Sequence, residues 1–383
     1  MRISASLPQG VAALFFGSAR RRRRLEARLA GRLEAAGFAE VVLPILDYLE
    51  PYESLLTPAS RGELYRFIDR DGELLALRAD FTPLLARLLA PMLAPGLEPG
   101  RRPLELPQRL FYRGDVVRYE EERPGRQREL YQIGAELLGI AGAAAEDEML
   151  RLFLDLLTAA AAVAAEAEAE DGAPAAPPGS GVRVVLGFAG ALDRPLAQAA
   201  AAGADPGRLA AALVRRERWP VREEARAAAG DASWEAVLRA VLERGVPDDP
   251  GALGPAAAPR LAEVSSLRDD VARAYPQVEI ALDLAEFAQQ TLDPSLAPVA
   301  EAADAGGGSY AGSYYDGLVF RAYAGAVALP AGAGGRYDRL FRRLGAEVPA
   351  VGFSLGLDRL ANGPRARAAL AAAGSAIVPG GRP

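Results

Sequence analysis

The stretch from Arg109 to Gly139, RLFYRGDVVRYEEERPGRQRELYQIGAELLG, constrains the fold more than any other part of the chain. Two strand-like runs flank a loop rich in Arg and Glu, with Pro124-Gly125 as its turn signal, which predicts an antiparallel pair. In the second run, period-two alternation puts Tyr131, Ile133, Ala135 and Leu137 on one face and Gln132, Gly134 and Glu136 on the other. A glycine between two polar side chains leaves room for a ligand or another backbone to approach. In the first run Arg118 and Glu120 share a face, while Val117 and Tyr119 point the other way. Two readings fit: the floor of a polar binding site, or a half-exposed sheet whose charged residues face water.

What the composition lacks narrows the chemistry. There is no Cys, which excludes disulfides, thiolate metal sites and a cysteine nucleophile. There is no His, the commonest general base and metal ligand, so no metal site is expected. Lys is also absent and all 44 basic residues are Arg, which removes Schiff-base chemistry and a P-loop lysine. Asn occurs once, at Asn362; missing Lys and near-missing Asn fit a GC-rich coding bias, but missing His does not follow from it. At 383 residues, 25% charged and 50% hydrophobic, the chain has the make-up of a soluble globular protein of one large domain or two ordinary ones. It shows no apolar run of membrane-spanning length and no signal pattern at its start, so the expected location is cytoplasmic. A net charge of −6 argues against gripping a nucleic-acid backbone as the main task. The local exception is Arg20–Arg24, at the start of a helical pattern marked by Leu25, Leu29 and Leu33, with Ser18 as N-cap and Gly37 as stop. It reads either as a solvated basic face, the commoner case, or as a nucleic-acid patch.

Along the chain, Ala39–Pro44 reads as a strand and residues 63–78 as a hairpin turning at Asp71-Gly72. Thr82 as N-cap and Pro83 at the first helical position then start a helix running to about Ala94. Asp80 sits at this strand-to-helix junction, either to bind a ligand or to support the helix N-terminus. A helix from Ala144 to Glu170 follows the opening hairpin, then a connection over 171–181 and a strand at Val182–Leu186. Residues 191–275 are mostly helical in composition, and Val278–Leu284 reads as a strand. The Ala/Gly-rich residues 297–313 read as an insertion. Strands are expected at Tyr314–Ala324, Ala326–Leu329 and Ala350–Phe353, with Gly332–Gly335 as a turn and a helix entered at Gly356-Leu357-Asp358-Arg359-Leu360. Hairpins with helices between them predict an α+β fold with a mainly antiparallel sheet flanked by helices.

Taken together, these stretches resemble the catalytic core of class II aminoacyl-tRNA synthetases, in the histidyl branch. The motif-1 pattern covers the helix at 18–36 and the strand ending at Pro44. Motif 2 is Val117-Arg118-Tyr119-Glu120 with its loop and following strand, and motif 3 is GFSLGLDRL at 352–360. Tyr314-Tyr315 and Gly334-Gly335-Arg336-Tyr337-Asp338 are specific to the histidine branch. The resemblance implies that Arg118 holds an α-phosphate and an amino-acid carboxylate and that Arg359 packs on adenine. It implies that Asp80 and Thr82 recognise an α-amino group, that Gln132, Glu136, Tyr314 and Tyr315 surround a histidine-like ligand, and that Arg126 lies on the loop closing over it. A carboxylate pair with Gln suits an ammonium, and Glu136 can accept from an imidazole N–H.

The departures from the synthetase pattern direct the functional expectation. The catalytic arginine expected four residues before the Tyr pair is Tyr310, which supplies no fixed positive charge to a transition state. Motif 3 ends at Leu360 with 23 residues after it, so the expected organisation is a synthetase-like core over 1–365, a mostly helical insertion at about 190–275, a tail over 366–383 and no anticodon-binding domain. Arg-Ala-Asp-x-Thr-Pro at 78–83 replaces the usual Pro-Glu before the Thr, and it is the pattern of a paralogous family, the regulatory subunits of ATP phosphoribosyltransferase. That resemblance implies a non-catalytic subunit, without cofactor, that joins a short catalytic chain in a hetero-oligomer. It also implies a homodimer through the motif-1 region, histidine as the feedback effector in the first step of histidine biosynthesis, and neither nucleic acid nor membrane as partner. Arg118 and Arg359 would then be remnants of an ATP site. A chain needed when histidine is scarce gains from containing none. Two alternatives stay open: a divergent histidyl-tRNA synthetase, and a stand-alone amino-acid-binding protein of the same fold.

Overall fold

The structure is a computed structural model that describes residues 7–53, 55–56, 61–93, 104–119, 127–170, 181–228, 233–290, 315–324 and 329–361. Its first helix, α1 (Phe16–Ala35), carries Leu25, Leu29 and Leu33 on one stripe, each at most 1% exposed. Each such leucine contributes roughly 2 kcal/mol of burial. The predicted stop is present: Gly37 takes φ +84°, its N–H donates to Glu34 O, and Phe38 N–H donates to Leu33 O. That bond pair is a Schellman closure, with Phe38 and Leu33 in the same core. The start differs from expectation. The helix begins at Phe16, and Ser18 Oγ donates to Phe15 O instead of accepting from the helix.

Next come β1 (Ala39–Glu40), β2 (Leu46–Tyr48), α2 (Leu49–Glu53), β3 (Arg66–Ile68), β4 (Leu74–Leu77) and α3 (Phe81–Leu93). The predicted strand to Pro44 is thus reduced to two residues. The hairpin of β3 and β4 forms as read, with Gly72 at φ +88° and the Asp69 carboxylate accepting from the backbone of Asp71 and Glu73. With β2 it makes a separate three-stranded sheet, order β2-β4-β3. The small core beneath it contains Leu49, Tyr52, Leu64, Ala76 and Leu84.

In the main sheet, which β1 edges, β5 (Gln108–Val117) and β6 (Glu129–Leu138) pair from Gln108 opposite Leu138 to Val117 opposite Glu129. The long helix α4 (Ala143–Glu170) leads to β7 (Val182–Phe188). A helical block follows: α5 (Asp193–Ala201), α6 (Pro206–Val214), α7 (Arg218–Ala227), α8 (Ser233–Arg244) and α9 (Ala257–Ala274). The chain then returns through β8 (Glu279–Leu282), β9 (Leu318–Ala324), β10 (Gly332–Arg336), α10 (Asp338–Arg343), β11 (Ala350–Gly356) and α11 (Leu357–Ala361). Sheet order is β1-β5-β6-β11-β10-β9-β7-β8. The two outer pairings, β1 with β5 and β7 with β8, are parallel, and the five inner ones are antiparallel. The α+β, mainly antiparallel expectation holds.

Gly332–Gly335, expected as a turn, is a central strand. A Cβ at Gly334 would stand 2.5 Å from Gly352 O, and one at Gly335 would stand 2.4 Å from Leu318 O. Glycine is present here because the sheet is too crowded for side chains, not because the chain reverses. One face of the sheet packs Ile133, Ala135 and Leu137 against α1, α4 and the helical block. The opposite face packs Leu110, Tyr112 and Val319 against Phe81 and Leu85 of α3 and Leu340 and Phe341 of α10. The candidate site lies on this second face.

Arg22, Arg23 and Arg24 of the basic run pair with Asp358, Glu26 and Glu170, and Arg22 lies over the Tyr131 ring. Among the described residues, no helix is long and apolar enough to cross a membrane. Glu120, the Pro124-Gly125 turn, Arg126, the insertion at 297–313 with Tyr310, Tyr314, and most of the strand expected at Ala326–Leu329 lie outside the described residues.

Candidate functional site

The junction between β4 and α3 is fixed first by Arg78. Its buried guanidinium donates to the carbonyls of Leu43 (2.7 Å), Pro44 (2.8 Å) and Asp115 (2.7 and 3.1 Å) and lies 3.8 Å from the Phe81 ring centroid. Clamping four bonds to main chain, Arg78 serves the architecture. Asp80 follows, and its Oδ1 accepts from Thr82 N–H at 3.1 Å. The N-cap of α3 is therefore Asp80 and not Thr82. The helix-supporting reading of Asp80 is thus observed, and its carboxylate also interacts electrostatically with the Arg118 guanidinium. Burial raises the Asp80 carboxyl above its usual range, and Arg118 opposes that rise.

Freed from capping, Thr82 turns its hydroxyl inward and donates to Glu136 Oε1 at 2.7 Å. Glu136 is fully buried. Tyr112 OH donates to the same oxygen at 3.3 Å, and Tyr337 OH donates to Oε2 at 2.5 Å. Burial, reinforced by Asp80, pushes the Glu136 carboxyl up to about 8, while the three hydroxyls act in the opposite direction. The carboxyl lies across Gly352 of β11, where a Cβ would be 1.4 Å from Oε2. The space left by Gly134 is likewise taken, by the Tyr112 ring: a Cβ there would meet its hydroxyl at 2.5 Å. Tyr112 stacks on Phe81 at 4.2 Å between centroids, which ties β5 to the start of α3.

The other sequence-predicted residues take these places. Arg118, 2% exposed and just beyond the end of β5, donates from Nε to Ala79 O at 2.7 Å. Tyr315 is buried with its ring over Gly335, beside Tyr337 and Tyr112. Gln132 is 3% exposed on the same face of β6 as Glu136, between Gly114 and Gly356 on the flanking strands. A Cβ on Gly356 would lie 3.7 Å from Arg359 Cδ, so Arg359 reaches that end of the row; its Nη1 donates to Pro330 O at 2.6 Å. The structure thus joins Asp80, Thr82, Arg118, Glu136 and Tyr315 in one buried polar cluster, with Gln132 four residues from Glu136 along β6 and Arg359 of α11 beyond it. With Gln132 and Glu136 this deeply buried, the water-facing sheet reading is set aside. Tyr112 and Tyr337 are members of the cluster that sequence reasoning did not single out for a role. Tyr337 stood inside the quoted Gly-Gly-Arg-Tyr-Asp pattern, but Tyr112 carried no local signal.

Chemically, two carboxyls, one guanidinium and several hydroxyls suit recognition of a ligand bearing both an ammonium and further N–H groups. A cavity of about 540 Å³ opens elsewhere, lined in part by Arg216, Asp283, Glu286 and Tyr323. Its charges are engaged with one another, Arg216 with Asp283 and Glu286 with Arg321 and Tyr323.

The fold is a class II aminoacyl-tRNA synthetase-like core of the histidyl type, as the match to a family model shows. The family model described as Histidyl-tRNA synthetase matches residues 10–292 and 309–360, leaving out part of the Ala/Gly-rich stretch. An ATP phosphoribosyltransferase regulatory subunit from Moorella thermoacetica is 32% identical over 372 residues, covering 95% of this chain and 84% of that protein. Given that extent, the chain belongs to the family of ATP phosphoribosyltransferase regulatory subunits. Among solved structures, an ATP phosphoribosyltransferase regulatory subunit/histidyl-tRNA synthetase from Bacillus halodurans superposes with a TM-score of 0.68 at 21% identity, over 94% of this chain and 84% of that one. A histidine–tRNA ligase subunit from Alicyclobacillus acidocaldarius gives 0.66 at 26% identity, over 96% and 99%.

Proposed function

We propose that this chain is a non-catalytic regulatory subunit that joins a short catalytic ATP phosphoribosyltransferase chain in the cytoplasm, is required for that chain's activity, and carries histidine feedback to it. The observation that carries this reading is the likeness to regulatory subunits along nearly the whole chain. The buried cluster supplies the sensing end. Asp80 takes the ligand ammonium, ionised Glu136 accepts from an imidazole N–H, Arg118 takes the carboxylate, and Gln132, Tyr314, Tyr315 and Arg126 complete the enclosure. Feedback follows only where histidine binds one arrangement of the assembly more tightly than the other.

A homodimer through the motif-1 region belongs to the same reading. Following that region in the chain, one face of the small sheet presents Leu46, Tyr48 and Phe67, each at least 38% exposed, with Leu75 and Leu77 between them, and would extend such an interface. Sedimentation showing a strict monomer at micromolar concentration would contradict that part. The second reading, a divergent histidyl-tRNA synthetase, is favoured by the retention of Arg118 and Arg359 at the site. ATP–pyrophosphate exchange with histidine separates the two, because robust exchange by this chain alone ends the regulatory reading.

A further inference from the structure

We propose that Tyr52 is the positioning residue for the ammonium-reading end of the pocket: its hydroxyl fixes the Ala79–Asp80 backbone and thereby aims the Asp80 carboxylate. This rests on the histidine-binding reading above and adds to it a residue on a different element. Tyr52 lies in α2 and is fully buried. A phenol hydroxyl has one proton to give and two lone pairs to offer. Here all three are used within the junction: Tyr52 OH accepts from Ala79 N–H at 2.9 Å and Asp80 N–H at 2.6 Å, and donates to Asp80 O at 2.9 Å. Arg118 holds the same segment from the other side, through Ala79 O at 2.7 Å. The peptide carrying Asp80 is therefore pinned between two side chains.

The ring itself packs with Leu49, Leu56, Leu64, Ala76, Ala79 and Leu84, so phenylalanine fills the same space. What phenylalanine lacks is the acceptor for two buried N–H groups. Orphaned amides in such surroundings take the nearest acceptor, because leaving them unmade is costly. The acceptor we assign to them is the Asp80 carboxylate, which already bonds Thr82 N–H from its capping position. Turned back toward its own main chain, that carboxylate leaves Arg118 and the pocket. Because α2 follows β2 without a linker, Tyr52 also connects the pocket to the small sheet.

The test compares histidine with imidazolepropionate, which lacks the α-ammonium, as ligands of the full chain in calorimetric titrations. Tyr52→Phe is expected to weaken histidine about tenfold, the scale of one lost net hydrogen bond, and to leave imidazolepropionate unchanged. In an Asp80→Asn background, Tyr52→Phe is expected to add nothing further. Equal weakening of both ligands marks a merely structural residue and overturns the proposal, as does unchanged histidine affinity. Failure of the unaltered protein to bind histidine defeats the histidine-binding reading instead. Tyr52 is then judged by the carboxyl ¹³C titration of Asp80, where a displaced curve in Tyr52→Phe upholds the positioning role and superposable curves end it.

Discussion

Replacing Glu136 by Gln tests the electrostatics of the site without ligand. The carboxyl is fully buried and raised from 4.5 to about 8, first by burial and then by Asp80. A carboxyl whose folded value lies above its unfolded one favours folding most where it is protonated in both states. Its contribution is fully present below pH 4.5 and is lost as pH rises toward 8. Between about pH 5.5 and 8.5 the unfolded chain releases this proton freely while the folded chain resists, which removes about 3 kcal/mol of stability. Glutamine matches the neutral acid in shape, and the hydroxyls of Thr82, Tyr112 and Tyr337 can reorient to pair with its amide. The assay is urea unfolding of both proteins, at equal concentration, across that range. The native chain is expected to lose stability relative to Glu136→Gln by about 3 kcal/mol as pH rises. Parallel curves would show that Glu136 is ionised in the fold and refute the reasoning.

Gly352→Ala would place a methyl in the position of Glu136 Oε2 and is expected to cost about 1–3 kcal/mol in urea unfolding and to abolish histidine binding. Glu146 is 2% exposed and accepts from Arg336 Nε and Leu318 N–H, both at 3.1 Å, and from Arg260 of the helical block. Glu146→Gln is expected to lose roughly 1–3 kcal/mol, read as a lower urea midpoint, because Arg336 and Arg260 then keep only their other carboxylate partners, Asp338 and Glu263. If histidine lends an N–H to ionised Glu136, binding releases a proton. Calorimetric heats of binding at pH 7 are then expected to depend on the buffer's ionisation enthalpy in the native chain, and less so in Glu136→Gln.

The parts of the fold legible in the sequence were those with short-range causes. Period-two alternation in 130–138 separated the two faces of β6 correctly, because one face is continuous apolar core. Gly37 and Asp71-Gly72 announced their turns, because positive φ is a local demand. What escaped has distant causes. Gly332–Gly335 looked like a turn because glycine marks both reversals and crowding, and the atoms that crowd it, Gly352 O and Leu318 O, belong to neighbouring strands. Asp80 and Thr82 are both good caps, and the choice between them was decided by Glu136, 54 residues on. Tyr112 and Tyr337 bond a carboxylate 24 and 201 residues away, so nothing near either could reveal the role.

The central claim is that this chain regulates and does not catalyse. Its most direct test is the phosphoribosyltransferase activity of a short catalytic chain, measured with and without this chain and titrated with histidine. The account predicts activity that depends on this chain and falls with histidine, with the histidine response weakened by Glu136→Ala. Full activity of the catalytic chain alone, with the same histidine response whether or not this chain is present, would contradict it.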